Sequence, residues 1–195
     1  MQIKEFHKIK KESKVRIKNM ILISGDGRNV GKTFLSCALI KQLKSKQNII
    51  AIKSSPHFHA LNENDEILYK HDDYIIVKEV RHSNKDSSLM LQAGAQEVFF
   101  IMANDEGLKM AFSLLMPFLN GNIIIAESGA LHEFIDPGIF LFLKKEGKEI
   151  SKTQYLNYSP ELITRSENNY EPSIPQIMDL ISQNILKKDL CTKAE

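Results

Sequence analysis

Met20-Ile21-Leu22-Ile23-Ser24-Gly25-Asp26-Gly27-Arg28-Asn29-Val30-Gly31-Lys32-Thr33 joins a short apolar run to a glycine-rich turn that closes on Gly-Lys-Thr. The run over 19–24 predicts a buried strand. Beyond the turn, Phe34, Leu35, Ala38, Leu39 and Leu43 recur near helical spacing, with Lys41, Lys44 and Lys46 on the other side, which predicts a helix over 33–46. Glycines between strand and helix let backbone N–H groups converge on an anion, and the helix start adds the positive end of its dipole. The stretch therefore predicts a phosphate-binding loop, in which Lys32 would reach the β- and γ-phosphates and the Thr33 hydroxyl would ligate Mg²⁺. A plain strand–turn–helix junction is the alternative. The strict Gly-x-x-x-x-Gly-Lys-Thr pattern requires glycine at position 26, where this chain has Asp26; counted from Gly25 the loop is one residue longer.

Working outward, 48–53 predicts a second strand, followed by the loop Ser54-Ser55-Pro56-His57-Phe58-His59. The polar stretch 62–73 is expected as an exposed excursion, and 74–80 as a strand in a hairpin at the sheet edge. Further helices are expected over 83–94 and 106–119, the latter tolerating Pro117 near its end. Strands are expected over 97–103, 122–126 and 139–143. Ser173 is placed to cap a last helix reaching Leu186, with Lys187 and Lys188 at its C-terminus. Strands alternate with helices, and several are apolar on both faces, the pattern of a mainly parallel sheet covered on both sides. Ligands in such α/β folds sit at the C-terminal ends of the strands. That singles out 25–33, 53–59 and 127–129, with Asp86 joining from a loop–helix segment.

Composition bounds the class. The 195 residues are 43% hydrophobic and 26% charged, which suits one soluble globular domain over 19–195. No apolar run reaches the length needed to span a bilayer, and the first residues show no apolar core of a signal peptide. The net charge of +2 hides a basic N-terminal arm: residues 1–18 hold seven Lys/Arg and two Asp/Glu. No nucleic-acid module accompanies the arm, which reads as a solvated leader or edge element rather than a nucleic-acid contact. Cys37 and Cys191 give no disulfide framework; Cys37 is expected as a small buried apolar residue, and the chain as cytoplasmic.

Candidate chemistry follows from position. Glu127 ends a strand beside the loop, where Mg²⁺ or a metal-bound water needs an acceptor; a capping or surface glutamate is the plain alternative. Lys53 ends the neighbouring strand, to neutralise a phosphate or substrate carboxylate, or to reach water at a strand end. His57 and His59, two apart, would point the same way on an extended loop, toward a substrate's anionic group or a metal; plain loop histidines are the alternative. Asp86 either caps a helix or binds Mg²⁺ or a substrate amine or hydroxyl. Asn84-Lys85-Asp86 lacks the spacer of the guanine-reading Asn-Lys-x-Asp pattern, so ATP and GTP both remain open.

The constellation resembles the P-loop class that includes dethiobiotin synthetase and the molybdopterin-guanine dinucleotide biosynthesis protein B family, and is closer to the latter. The likeness covers about 19–145 and is carried by Gly31-Lys32-Thr33, by Ile52-Lys53 followed by His57 and His59, by Lys85-Asp86-Ser87 leading to Ala93-Gly94-Ala95, and by Ala126-Glu127-Ser128-Gly129. Ser128 stands where the family has glycine, 60–82 is an insertion, and nothing after 145 corresponds. The resemblance implies a three-layer P-loop NTPase fold. It implies nucleotide (GTP or ATP) on Gly25, Gly27, Arg28, Asn29, Val30, Gly31, Lys32, Thr33 and Phe34. Lys32 and Glu127 would act in catalysis, Mg²⁺ would sit on Thr33, Glu127 and Asp86, and Lys53, His57, His59 and Asp86 would lie on the substrate side. The implied function is a slowly hydrolysing accessory factor of molybdenum cofactor guanylation, a homodimer working with a cofactor-biosynthesis protein. Dethiobiotin synthetase implies instead an ATP-dependent ligase; a non-catalytic nucleotide-dependent binding module is the third expectation.

Overall fold

The computed structural model of the chain describes residues 13–80, 82–167 and 169–186. It is an α/β fold built on one nine-stranded, mostly parallel sheet. Along the chain run β1 (Val15–Gly25), α1 (Lys32–Leu43), β2 (Ile49–Ser55), β3 (Glu66–Lys70), β4 (Tyr74–Lys78), α2 (Asp86–Ala93), β5 (Glu97–Ala103), α3 (Asp105–Leu119), β6 (Ile123–Glu127), β7 (Ile135–Lys145), β8 (Glu161–Ser166), β9 (Asn169–Glu171) and α4 (Ile174–Asn184). Two short 3₁₀ turns, Leu131–Glu133 and Thr153–Tyr158, flank β7 in sequence.

The sheet order is β3-β4-β5-β2-β6-β1-β7-β8-β9. The six strands from β5 to β8 are parallel; β3, β4 and β9 add antiparallel edges. From β1 the chain crosses through α1 to β2 and on to β5, then turns back through α3 to β6 and past β1 to β7. Right-handed crossovers in opposite directions must use opposite faces of the sheet. Two separate cores record this. Leu35, Leu39 and Leu43 of α1, Met90 of α2 and Ile177 and Ile181 of α4 pack on one face. Leu108, Phe112, Leu115 and Leu119 of α3, with Leu131 and Tyr155 of the 3₁₀ turns, pack on the other. The arrangement is compatible with a three-layer α/β fold. Met20 to Ile23 in β1 are fully buried because they face one core and the other in turn.

Several element bounds differ from the sequence expectation. β1 begins at Val15, so the last residues of the basic arm are strand: Val15, Arg16 and Ile17 pair with Ile135, Asp136 and Pro137, and Arg16 meets Asp136 at 2.8 Å. Residues 1–12 lie outside the described residues. The exposed excursion contains β3, which pairs antiparallel with β4 and stays largely exposed on both faces. Only Leu68 at its centre packs against the α3-side core, and antiparallel pairing with β4 holds the rest. The helix of 83–94 starts only at Asp86; ahead of it the Ser83 N–H donates to the Ser88 hydroxyl at 2.5 Å. Lys85, not Asp86, stands at the N-cap, which overturns the capping reading of Asp86. Asn104 caps α3, accepting from the Gly107 N–H at 2.7 Å. Ser173 is at the N-cap of α4, where Gln176 Oε1 accepts from its N–H at 2.8 Å. Lys187, Lys188 and Cys191 lie outside the described residues.

Among the described residues no helix is long and apolar enough to cross a membrane. Cys37 is half-buried, packs against the α1-side core, and has its thiol pKa raised by burial.

Candidate functional site

A cleft of about 1130 Å³ opens at the C-terminal ends of the parallel strands, lined from the 25–33 loop, the ends of β2, β6 and β8, and the start of α2. Its wall holds Arg28, Lys32, Lys53, Lys85, Lys152 and Arg165 against two carboxylates, Asp86 and Glu127. This surplus of cations favours an anionic occupant.

Strand register builds the centre. In the parallel ladder Glu127 of β6 lies opposite Lys53 of β2 and Ile23 of β1. Lys53 and Glu127 thus emerge side by side, and Lys53 Nζ donates to Glu127 Oε1. The Thr33 hydroxyl, on the first turn of α1, donates to Glu127 Oε2 at 2.9 Å. Glu127 is only 2% exposed, so both oxygens are satisfied where an unpaired carboxylate would be costly. Asp86, the first residue of α2, reaches Lys53 Nζ from the other side at 3.0 Å. Burial works against the Lys53 ammonium, but the two carboxylates outweigh it and raise its pKa. Lys32 differs: burial, reinforced by the nearby Lys53 and Lys152 charges, lowers its pKa even with Glu127 close by.

The loop is shaped by backbone conformation. Gly27 is at φ 103° and Gly31 at φ 97°, in the left-handed region that favours glycine. At Gly31 a Cβ would also lie 2.6 Å from Arg165 Cδ, so any side chain there would push the Arg165 side chain aside. Asn29 is left-handed as well, at φ 58°. Lys32 Nζ folds back to the Gly27 carbonyl at 2.8 Å, and the Leu35 N–H closes the first helical turn on the Gly31 carbonyl at 3.0 Å. Tyr170 OH donates to that same carbonyl at 3.0 Å.

Most residues singled out from sequence meet in this cleft: Gly25, Gly27, Arg28, Asn29, Gly31, Lys32, Thr33, Phe34, Lys53, His57, His59, Asp86 and Glu127 all line it. Val30 does not; its side chain is buried in the α1-side core, so it can present only backbone. His57 and His59 do not converge. His57 Nε2 lies 3.0 Å from the Arg28 guanidinium, whereas the His59 ring stacks on Phe100 with centroids 6.0 Å apart. Among the described residues no group of three or more His, Cys, Asp or Glu side chains is placed to hold a metal.

Sequence reasoning missed the wall built by the chain beyond residue 145. Arg165 ends the parallel strand β8 and lies 5.9 Å above the exposed Phe34 ring, which stacks on Tyr170. Lys152 enters from the segment after β7. The β-branched pair Ile163-Thr164 was the available signal: reading a strand there places Arg165 at a strand end, where ligands sit. Ser128 was also unassigned; its hydroxyl accepts from Ser54 Oγ at 2.6 Å and from the Ala130 and Leu131 N–H groups at 3.2 Å, which fixes the turn after Glu127. The chain matches no protein-family model, no curated protein and no solved structure.

Proposed function

We propose that the cleft binds a nucleoside triphosphate, ATP or GTP, with Mg²⁺, and hydrolyses it slowly, the 25–33 loop acting as a P-loop. One observation carries the reading: the hydroxyl after Gly31-Lys32 sits 2.9 Å from a buried strand-end carboxylate, at the start of a helix whose preceding loop holds a lysine ammonium. Thr33 and Glu127 are hard oxygen donors of the kind Mg²⁺ accepts, and Mg²⁺ typically takes one or two protein oxygens and completes its shell with water and phosphate. The two residues therefore fit that ion without a larger ligand cluster. Bound there, Mg²⁺ would neutralise phosphate charge.

The chain's own groups divide the remaining work. Backbone N–H groups of 27–33 and the α1 N-terminus hold phosphate oxygens, and Lys32 exchanges the Gly27 carbonyl for them. Lys53, pinned between Glu127 and Asp86, orients the Glu127 carboxylate rather than standing free for a substrate acid. That favours a nucleotide-hydrolysing or switching role over the ligase reading. Resemblance to the accessory factor of molybdenum cofactor guanylation supplies the proposed context, a homodimer working with a cofactor-biosynthesis protein.

Calorimetric titration of the full chain with ATP and with GTP in Mg²⁺ tests the reading. Lys32→Ala is expected to keep the fold and weaken binding about 100-fold, the loss of a charge-assisted contact of about 3 kcal/mol. Unchanged affinity in that variant, or no binding by the wild type at millimolar nucleotide, refutes the proposal.

A further inference from the structure

Asp26 is the loop's departure from the strict pattern, and its carboxylate is engaged by the C-terminal half of the chain. Asp26 Oδ2 accepts from the Ser151 N–H at 2.8 Å, and Oδ1 accepts from the Ser151 hydroxyl at 2.6 Å and the Lys152 N–H at 3.0 Å. These bonds hold the Asp26 carboxyl below the usual range. They also tie down the irregular stretch between β7 and the 153–158 turn at the point where Lys152 enters the cleft.

Lys152 differs from the cleft's other strand-flanking lysine. Lys53 comes from β2 and is saturated by two carboxylates, whereas among the described residues Lys152 forms no ion pair. Its ammonium lies 5.8 Å from the centre of the Tyr155 ring, and Tyr155 OH donates to the Gly129 carbonyl, two residues past Glu127. Lys152 therefore stands on the Gly129 side of the cleft. Arg165 and Phe34 mark the opposite end of the loop, over Gly31 and the helix start. Gly31, Lys32, Thr33, Glu127, Gly129 and Lys152 line one cleft, so a phosphate chain gripped at Gly31–Thr33 and extended toward Glu127 would run toward the wall that Lys152 shares with Gly129.

We infer that Lys152 is a second phosphate-binding cation, supplied by the C-terminal segment and positioned by Asp26, that engages the terminal phosphate and so separates triphosphate from diphosphate. The inference rests on the proposed nucleotide site and adds to it the state that the site recognises. The Lys152 charge also contributes to the depressed pKa of Lys32, as expected of two cations facing one space.

The test compares affinities of the full-length protein for the β,γ-imido analogues of ATP and GTP with those for ADP and GDP, in Mg²⁺. Lys152→Ala and Lys152→Gln are expected to lose about tenfold or more for the triphosphate analogues and less than about threefold for the diphosphates. Lys152→Arg should restore most of the difference. Asp26→Asn, which keeps the shape but removes the charge that holds 151–152, should lower the triphosphate-to-diphosphate ratio in the same direction. Equal losses for both nucleotide classes, or none, overturn the assignment of Lys152. If the wild type binds none of the four ligands while its thermal unfolding remains cooperative, the nucleotide site itself is wrong, a different result from failure of discrimination.

Discussion

Glu127 and His132 are five residues apart and both bury a titratable side chain, yet their surroundings are opposite in kind. Glu127 has each carboxylate oxygen bonded, one by a hydroxyl and one by an ammonium, in a cleft rich in cations. His132 is packed among rings: Tyr155 at 4.3 Å, Tyr158 edge-on at 4.5 Å and Phe140 at 5.7 Å between centroids. Its Nδ1 is buried with no hydrogen-bond partner among the described residues. Burial first, then the Lys14 charge, lowers its pKa to about 4, against a backbone bond at Gly129 that pulls the other way. The contrast shows two ways of burying a polar group. Glu127 keeps its partners and can exchange them for a ligand, while His132 gives up its charge and serves packing.

Breaking the Glu127 arrangement should have the largest effect. Glu127→Ala leaves Lys53 with only the half-exposed Asp86 carboxylate and is expected to cost about 4 kcal/mol in urea unfolding at pH 7. Glu127→Gln, which can still accept from Thr33, should cost less; equal losses would mean that the carboxylate charge alone, and not the hydrogen bond from Thr33, carries the effect.

Next comes the acid response of His132. The unfolded chain protonates an ordinary imidazole near 6.5, and the folded chain only near 4. Between those values the unfolded state binds the extra proton, so this residue's contribution is intact above about pH 6.5 and is lost as pH falls toward 4, about 3 kcal/mol in all. Melting curves from pH 7 to 4 should show that slope, and His132→Phe should flatten it. A variant with the wild-type slope would remove His132 as its source.

The smallest effect is expected at Asp86. Its ion pair with Lys53 is half exposed, so Asp86→Asn should change stability by less than about 1 kcal/mol. A loss as large as that of Glu127→Ala would show that Asp86 holds Lys53 as firmly as Glu127 does.

How much was legible follows from the range of the interactions. The loop and helix α1 could be read because glycine spacing, Gly-Lys-Thr and apolar period are local. Lys53 and Glu127 could be flagged as strand ends. Their pairing could not, because it depends on β6 inserting between β1 and β2. That the Val30 side chain turns into the core, leaving its backbone to the loop, could not be read, because a loop position says nothing of which side faces the core. His57 and His59 were paired by spacing, but Arg28 and Phe100, distant in sequence, drew them apart. The edge strand β3 was missed because an exposed strand needs no apolar alternation.

By itself, the sequence determined an α/β chain with a glycine-rich strand–helix turn carrying Lys32 and Thr33, since backbone freedom, helix start and hydrophobic period act between near neighbours. Tertiary structure alone decided which charges share one cleft. Strand order and register set Lys53 against Glu127, and the three Asp26 bonds to 151–152 bring Lys152 over the loop from more than a hundred residues away. Such contacts have no local signature, because they exist only once hydrophobic burial has stacked the layers and closed the sheet between them.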